Sequence, residues 1–168
     1  MNFFRRLCAL AACLILLAIP ALAVSAAPAA VPYSLIVNGK TLDLSDLPRP
    51  VYESASGSVM IPLRKTAEAL GLSVQWLGDE QCAFVEDSVQ SARVFDGSAS
   101  VRWTGKLKII DLTRDTTMTA PALLFKGYTY VPAQLFEEFF NTVSVSNGVV
   151  TVEPNVYTID QPTVDSAA

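Results

Sequence analysis

The sequence predicts an α+β domain: two tandem related units of antiparallel β-hairpins, each with one short α-helix packed on the sheet. Three observations carry that expectation. The stretch Gly57-Ser58-Val59-Met60-Ile61-Pro62-Leu63-Arg64, continuing to Glu68-Ala69-Leu70-Gly71, lines up at a constant offset of 70 residues with Gly127-Tyr128-Thr129-Tyr130-Val131-Pro132-Ala133-Gln134, continuing to Glu138-Phe139-Phe140-Asn141. Turn formers at Asn38-Gly39, Gly57, Gly127 and Asn147-Gly148 separate short apolar runs. Each unit contains a single stretch with helical spacing of its apolar residues.

The elements follow in chain order. Residues 1–26 read as a signal peptide: Arg5 and Arg6 precede an apolar run from Leu7 to Ala18, and Pro20 breaks it. Cleavage fits after Ala23 (Ala21-Leu22-Ala23) or after Ala26 (Val24-Ser25-Ala26). Two alternatives stand beside this reading, a retained membrane helix and lipid attachment at Cys13 in Leu10-Ala11-Ala12-Cys13. Residues 27–32 are expected to be a flexible linker, and the first unit spans 33–87. In that unit Asn38-Gly39, between Leu35-Ile36-Val37 and Thr41-Leu42-Asp43-Leu44, marks a hairpin, because a type I′ turn needs positive φ at both central residues. Gly57 turns the chain into a strand at Val59 to Ile61, and Pro62 suits the first helical position, where its missing N–H has no partner to lose. Leu63, Thr66, Ala67 and Leu70 then form one apolar stripe, closed by Gly71 as a left-handed residue. Strands at Ser73 to Leu77 and Cys82 to Glu86 complete the unit.

The second unit, 91–153, repeats the plan. Val101 to Lys106 matches Leu35 to Lys40, Gly127 leads into a strand at Thr129 to Val131, and Pro132 precedes a helix carrying Leu135, Phe136, Phe139 and Phe140 on one face. Asn141 is expected to close that helix as Gly71 closes the first, ahead of strands at Val143 to Val145 and Val149 to Val152. Each unit is too small to bury enough apolar surface alone, so the two are expected to share a core. Residues 154–168, polar and containing Pro154 and Pro162, are expected to be a flexible tail.

Composition narrows the chemistry. The 168 residues carry a net charge of −4, which becomes −6 once Arg5 and Arg6 leave with the signal, so clustered cations for binding nucleic acid are lacking. There is no histidine. That removes Ser-His-Asp and Cys-His nucleophile systems and imidazole-ligated zinc or copper sites. Of three cysteines, Cys8 and Cys13 belong to the signal, leaving Cys82 in the apolar run Cys82-Ala83-Phe84-Val85. No internal disulfide follows, and burial is the reading for its thiol.

With these residues assembled, the sequence resembles the copper amine oxidase N-terminal-like domain, or stalk domain, of exported bacterial proteins. The carrying motifs are Val37-Asn38-Gly39-Lys40, Ile61-Pro62-Leu63-Arg64, Glu68-Ala69-Leu70-Gly71 and Val74-Gln75-Trp76, with the echo Tyr128-Thr129-Tyr130-Val131-Pro132. The resemblance spans about residues 34–153, so that 33–153 is expected to be one stalk-type domain. It implies a β-rich fold, surface location, structural roles for Asn38, Gly39, Gly57, Pro62, Gly71, Gly127 and Pro132, and a core position for Trp76. It does not imply oxidase activity, since copper and the tyrosine-derived quinone belong to a separate catalytic domain of the oxidases. The chain departs from the motif where Ala133-Gln134 replaces Leu63-Arg64 and Phe140-Asn141 replaces Leu70-Gly71.

Few residues offer chemistry. Neither Ser-x-x-Lys nor G-x-S-x-G occurs. Glu68, Glu137 and Glu138 are candidates for a carboxylate pair, set against their role as solvated helix acids, with Glu68 four residues from Arg64. Asp79-Glu80 and Glu86-Asp87 lack any calcium-loop spacing and read as turn acids. Ligand-binding candidates are Tyr128, Tyr130 and Arg64; the tyrosines alternate with Thr129 and so share a strand face, which alternation leaves as either core or solvent. No catalytic residue, metal or cofactor is expected. The chain is expected to be a secreted, non-catalytic cell-envelope module without a membrane span after signal cleavage, binding or spacing peptidoglycan-associated polymer or a surface protein. The alternatives are a small carboxylate-dependent envelope hydrolase and a regulator of a co-exported enzyme.

Overall fold

The computed structural model describes residues 33–106 and 112–155. The expected signal peptide with Cys13 and both cleavage sites, the linker 27–32 and the tail beyond Asn155 lie outside the described residues. In chain order the elements are β1 (Ser34–Val37), β2 (Lys40–Thr41), β3 (Tyr52–Glu53), β4 (Val59–Pro62), α1 (Leu63–Ala69), β5 (Ser73–Leu77), β6 (Cys82–Glu86), β7 (Gln90–Phe95), β8 (Ser100–Gly105), β9 (Thr113–Thr117), β10 (Leu123–Phe125), β11 (Tyr128–Pro132), the 3-10 helix η1 (Ala133–Phe139), β12 (Asn141–Ser146) and β13 (Val149–Pro154). The described chain is thus mostly β-sheet with two short helices.

Three sheets organise these strands, in the orders β12-β13-β1-β2, β10-β11-β4-β3 and β5-β6-β7-β8-β9. The first two are not built from neighbours in sequence. β1 lies parallel to β13, with Ser34 opposite Val149 and Val37 opposite Val152, so the opening hairpin is zipped to the closing one. β4 and β11 pair antiparallel, Ile61 opposite Val131, which joins the strands that lead into the two helices. One core runs through all three sheets: Leu35, Val37, Val150 and Val152 from the first, Val59, Ile61 and Val131 from the second, and Val85, Val94, Val101 and Trp103 from the third. Leu63 and Ala67 of α1 and Leu135, Phe136 and Phe139 of η1 complete it. Each large side chain buried here contributes roughly 1.5–3 kcal/mol. The Trp103 indole N–H stays satisfied, donating to Thr116 Oγ1 at 2.8 Å.

Local rules explain the turns. Asn38 and Gly39 take φ of 50° and 69°, the pair of positive values that a type I′ hairpin needs, and the freed Gly39 N–H donates to Glu153 Oε1 at 2.9 Å. Gly71 follows α1 at φ 79°, as expected for a left-handed closing residue.

The structure corrects several local expectations. The second helix is 3-10, not α. Of its four buried residues, Ala133, Phe136 and Phe139 recur every three positions, the period at which side chains of a 3-10 helix eclipse, with Leu135 buried beside them, and Phe139 packs on Trp103 with ring centroids 4.9 Å apart. Phe140 does not share that buried face. It takes the left-handed conformation (φ 59°) expected of Asn141 and turns outward, 53% exposed. Asn141 instead opens β12, and its side-chain amide donates to the Phe136 and Phe139 carbonyls at 2.9 and 3.0 Å, satisfying the end of the helix from outside. Pro62 and Pro132 are the last residues of β4 and β11, extended at ψ 115° and 135°, and precede the helices as N-caps rather than occupying the first helical position. The strand expected at Thr41 to Leu44 ends at Thr41. Strands β3, β7, β9 and β10 have no counterpart in the sequence expectation.

Candidate functional site

An open cleft of about 560 Å³ lies between α1, the edge strand β5 and the β10–β11 turn. Three elements supply its walls. From α1 come Arg64, Lys65 and Glu68, all on the turns of the helix opposite the buried Leu63, Thr66 and Ala67. β5 contributes Val74, Gln75 and Trp76, and Gln81 follows from the β5–β6 turn. The far wall is Leu124, Tyr128 and Thr129 around Gly127, whose φ of 83° lets the hairpin reverse tightly.

Polar contacts fix the shape of the cleft. Arg64 Nη1 donates to the Val74 carbonyl at 2.9 Å and lies 3.4 Å from Glu68 Oε1, tying the helix to the sheet edge. Both side chains of that ion pair are more than half exposed, so the pair itself contributes only a few tenths of a kcal/mol, ~0.3–0.5. Lys65 pairs with Asp46 and donates to the Asp43 carbonyl at 2.7 Å, holding the 43–46 loop against α1. The Asp43 carboxyl is pulled below its ordinary value, first by the Ser45 backbone N–H, then by the Ser45 hydroxyl and the Lys65 charge.

The candidate residues separate on this frame. Arg64 and Tyr128 line the cleft, and Tyr128 is 38% exposed. Tyr130 does not join them: it is buried against Met60 and Ala120, and its hydroxyl donates to the Arg49 carbonyl at 2.7 Å. Burial pushes its phenol above the ordinary value. Trp76, expected in the core, is half-buried, with one part packed on the core and another on the cleft. Trp103 takes the fully buried position.

Glu68 belongs to the cleft, whereas Glu137 and Glu138 line a separate pocket of about 140 Å³ beside η1. Glu138 is already engaged by Arg114 at 2.7 Å. Three of the turn acids are occupied too: Glu80 by Arg93 at 2.9 Å, Glu86 by Lys106 at 2.7 Å, and Asp87 by the Val89 and Gln90 N–H groups. Cys82 is fully buried, and desolvation chiefly, with the nearby Glu80 charge, pushes its thiol above the ordinary value.

Residues 36–153 match the copper amine oxidase N-terminal domain. The chain belongs to that family. The copper of the oxidases after which the domain is named finds no donor set here: histidine is absent from the sequence, and among the described residues Cys82 is the one cysteine and is buried, and no group of three or more His, Cys, Asp or Glu side chains gathers. A curated relative, named "Protease inhibitor" in Brevibacillus choshinensis, is 28% identical over 120 residues, which cover 71% of this chain and 33% of that protein. The chain therefore corresponds to about a third of that relative. No solved structure matches. No helix among the described residues is long and apolar enough to cross a membrane.

Gln75, Gln81, Lys65, Leu124 and Thr129 escaped the sequence reading. The cleft brings Leu124 and Thr129 against residues some 50 to 60 positions earlier, and no local period marks such a meeting.

Proposed function

We propose that this family member is an exported, non-catalytic module of the cell envelope that holds a wall polymer or a surface protein in the cleft between α1, β5 and the β10–β11 turn. One observation carries the reading: the cleft combines two partly exposed aromatics, Trp76 and Tyr128, with Arg64, Gln75 and Gln81, while the candidate carboxylates sit in different cavities. Such a mixture suits recognition, in which aromatic faces supply area and a few polar groups orient the ligand. The protein recovered from the envelope or medium of expressing cells should sediment with purified cell walls. Failure to sediment at every salt concentration removes the wall-binding form of the proposal.

A second reading, regulation of a co-exported enzyme, is favoured by the name of the Brevibacillus relative, "Protease inhibitor". Titration of the protein into assays of secreted proteases tests it, and undiminished activity at stoichiometric excess rejects it.

The same reading extends to the architecture, taken as two related units, 33–87 and 91–153. β4 with α1 and β11 with η1 have the same order and pair with each other. β13 runs parallel to β1, and β6 runs the same way as β8 because each is antiparallel to β7. On this view β7 is a strand inserted into one of two equivalent sheets.

A further inference from the structure

We infer that the cleft takes a β-linked chain of N-acetylated amino sugars, one acetamido group bonding to the outward backbone of Trp76 and an acidic substituent meeting Arg64. This deepens the binding reading above and rests on it. Three features of the cleft lead to that ligand class.

First, β5 is a sheet edge whose backbone is partly open. In an antiparallel ladder the N–H and C=O of one residue point to the same side, and successive residues alternate. The Val74 carbonyl accepts from Arg64, so it points away from β6; Trp76, two residues on, therefore also turns its N–H and C=O outward. An adjacent donor and acceptor of that spacing complement an amide, which a plain hexose lacks. Second, the same edge is closed to an added peptide strand, because Arg64 already occupies the Val74 carbonyl that a continued ladder would need. A compact amide on a ring avoids the blocked position. Third, the apolar lining of the cleft, which includes Val74, Ala83 and Leu124, also carries two aromatic side chains. Trp76 and Tyr128 line one cavity of about 560 Å³, within the roughly 300–1,000 Å³ of small-molecule sites, and pyranose rings present flat C–H faces to such side chains.

Charge refines the choice. Arg64 uses only Nη1 in its contacts with Val74 and Glu68 among the described residues and its side chain is 53% exposed, which leaves Nε and Nη2 available to a carboxylate. A sugar carrying a carboxylate arm is thereby preferred over its neutral counterpart.

The test titrates the exported protein, observed by backbone amide NMR, with chitotetraose, with cellotetraose of the same linkage lacking acetamido groups, and with the disaccharide of N-acetylglucosamine and N-acetylmuramic acid. Expected are shifts at Trp76, Gln75 and Tyr128, with cellotetraose weaker than chitotetraose by about tenfold. Trp76→Ala and, because Trp76 also packs on the core, the surface variant Tyr128→Ala should each weaken binding by about tenfold. Arg64→Gln should remove any advantage of the acidic disaccharide. Equal binding of cellotetraose, or shifts confined to residues outside the cleft, overturns the inference. If the protein sediments with cell walls yet these sugars leave the cleft unshifted, the binding proposal stands and the sugar assignment falls. If a wall peptide alone produces the cleft shifts, the sugar assignment also falls.

Discussion

The α1 region and the η1 region start from the same local plan, a strand ending in proline followed by a seven-residue helix, and arrive at different ends. α1 buries Leu63, Thr66 and Ala67, closes on Gly71 and leaves its outer face beside a cleft of about 560 Å³. η1 buries Leu135, Phe136 and Phe139, closes on a strained Phe140 and borders a pocket of about 140 Å³. Arg64 ties the first helix to β5, whereas Gln134, at the equivalent position, has a buried Oε1 with no partner among the described residues. The difference teaches that one half supplies core mass and the other is free to present a surface, and that two residue choices, Arg against Gln and Gly against Phe, separate the roles.

Substitutions can break this comparison. The largest effect is expected in the η1 half: Phe136→Ala should cost about 3–5 kcal/mol in urea unfolding, from lost transfer energy plus the cavity left behind. Leu63→Ala in α1 should cost less, about 2–4 kcal/mol, and equal losses would show that the halves share the core evenly. At the helix ends the signs should oppose. Gly71→Ala forces a Cβ into φ 79° and should lose about 1 kcal/mol, even though no atom crowds the site. Phe140→Gly relieves the same conformation at φ 59° and should gain about 1 kcal/mol, readable as a rise in Tm.

A pH experiment addresses the shared interior. Cys82 and Tyr130 have folded-state values raised above their ordinary 9.0 and 10.0, so each contributes stability that is complete below the unfolded value and lost as pH rises past it. Tm should therefore fall above about pH 9, and Cys82→Ala should flatten the early part of that fall. The smallest expected effect is Glu68→Gln, below about 0.5 kcal/mol, since its pair with Arg64 is exposed and Arg64 keeps the Val74 carbonyl.

Much of the local structure was legible because its signals are local. Asn38-Gly39 announces its hairpin through two required φ values, Gly71 its helix end, and Ser73 to Leu77 and Cys82 to Glu86 their strands through apolar residues between turns. The second helix misled because Phe136, Phe139 and Phe140 satisfy an α-helical stripe while Ala133, Phe136 and Phe139 satisfy a three-residue repeat, and packing on Trp103 favours the second. Of the candidate site, Arg64 and Tyr128 were visible as residue types, but Tyr130 was indistinguishable from Tyr128 until the second cluster around Met60 enclosed it.

The sequence by itself determined the family, the absence of imidazole chemistry, and the turns and helix positions, since each depends on side chains within a few residues of one another. Only the tertiary structure decided that β1 zips to β13, that Trp76 faces both core and cleft, and that Arg64 caps the edge of β5. Those outcomes come from contacts between distant segments, whose free energy resides in shared burial and in pairing sheet edges, and neither is written in any one stretch of chain.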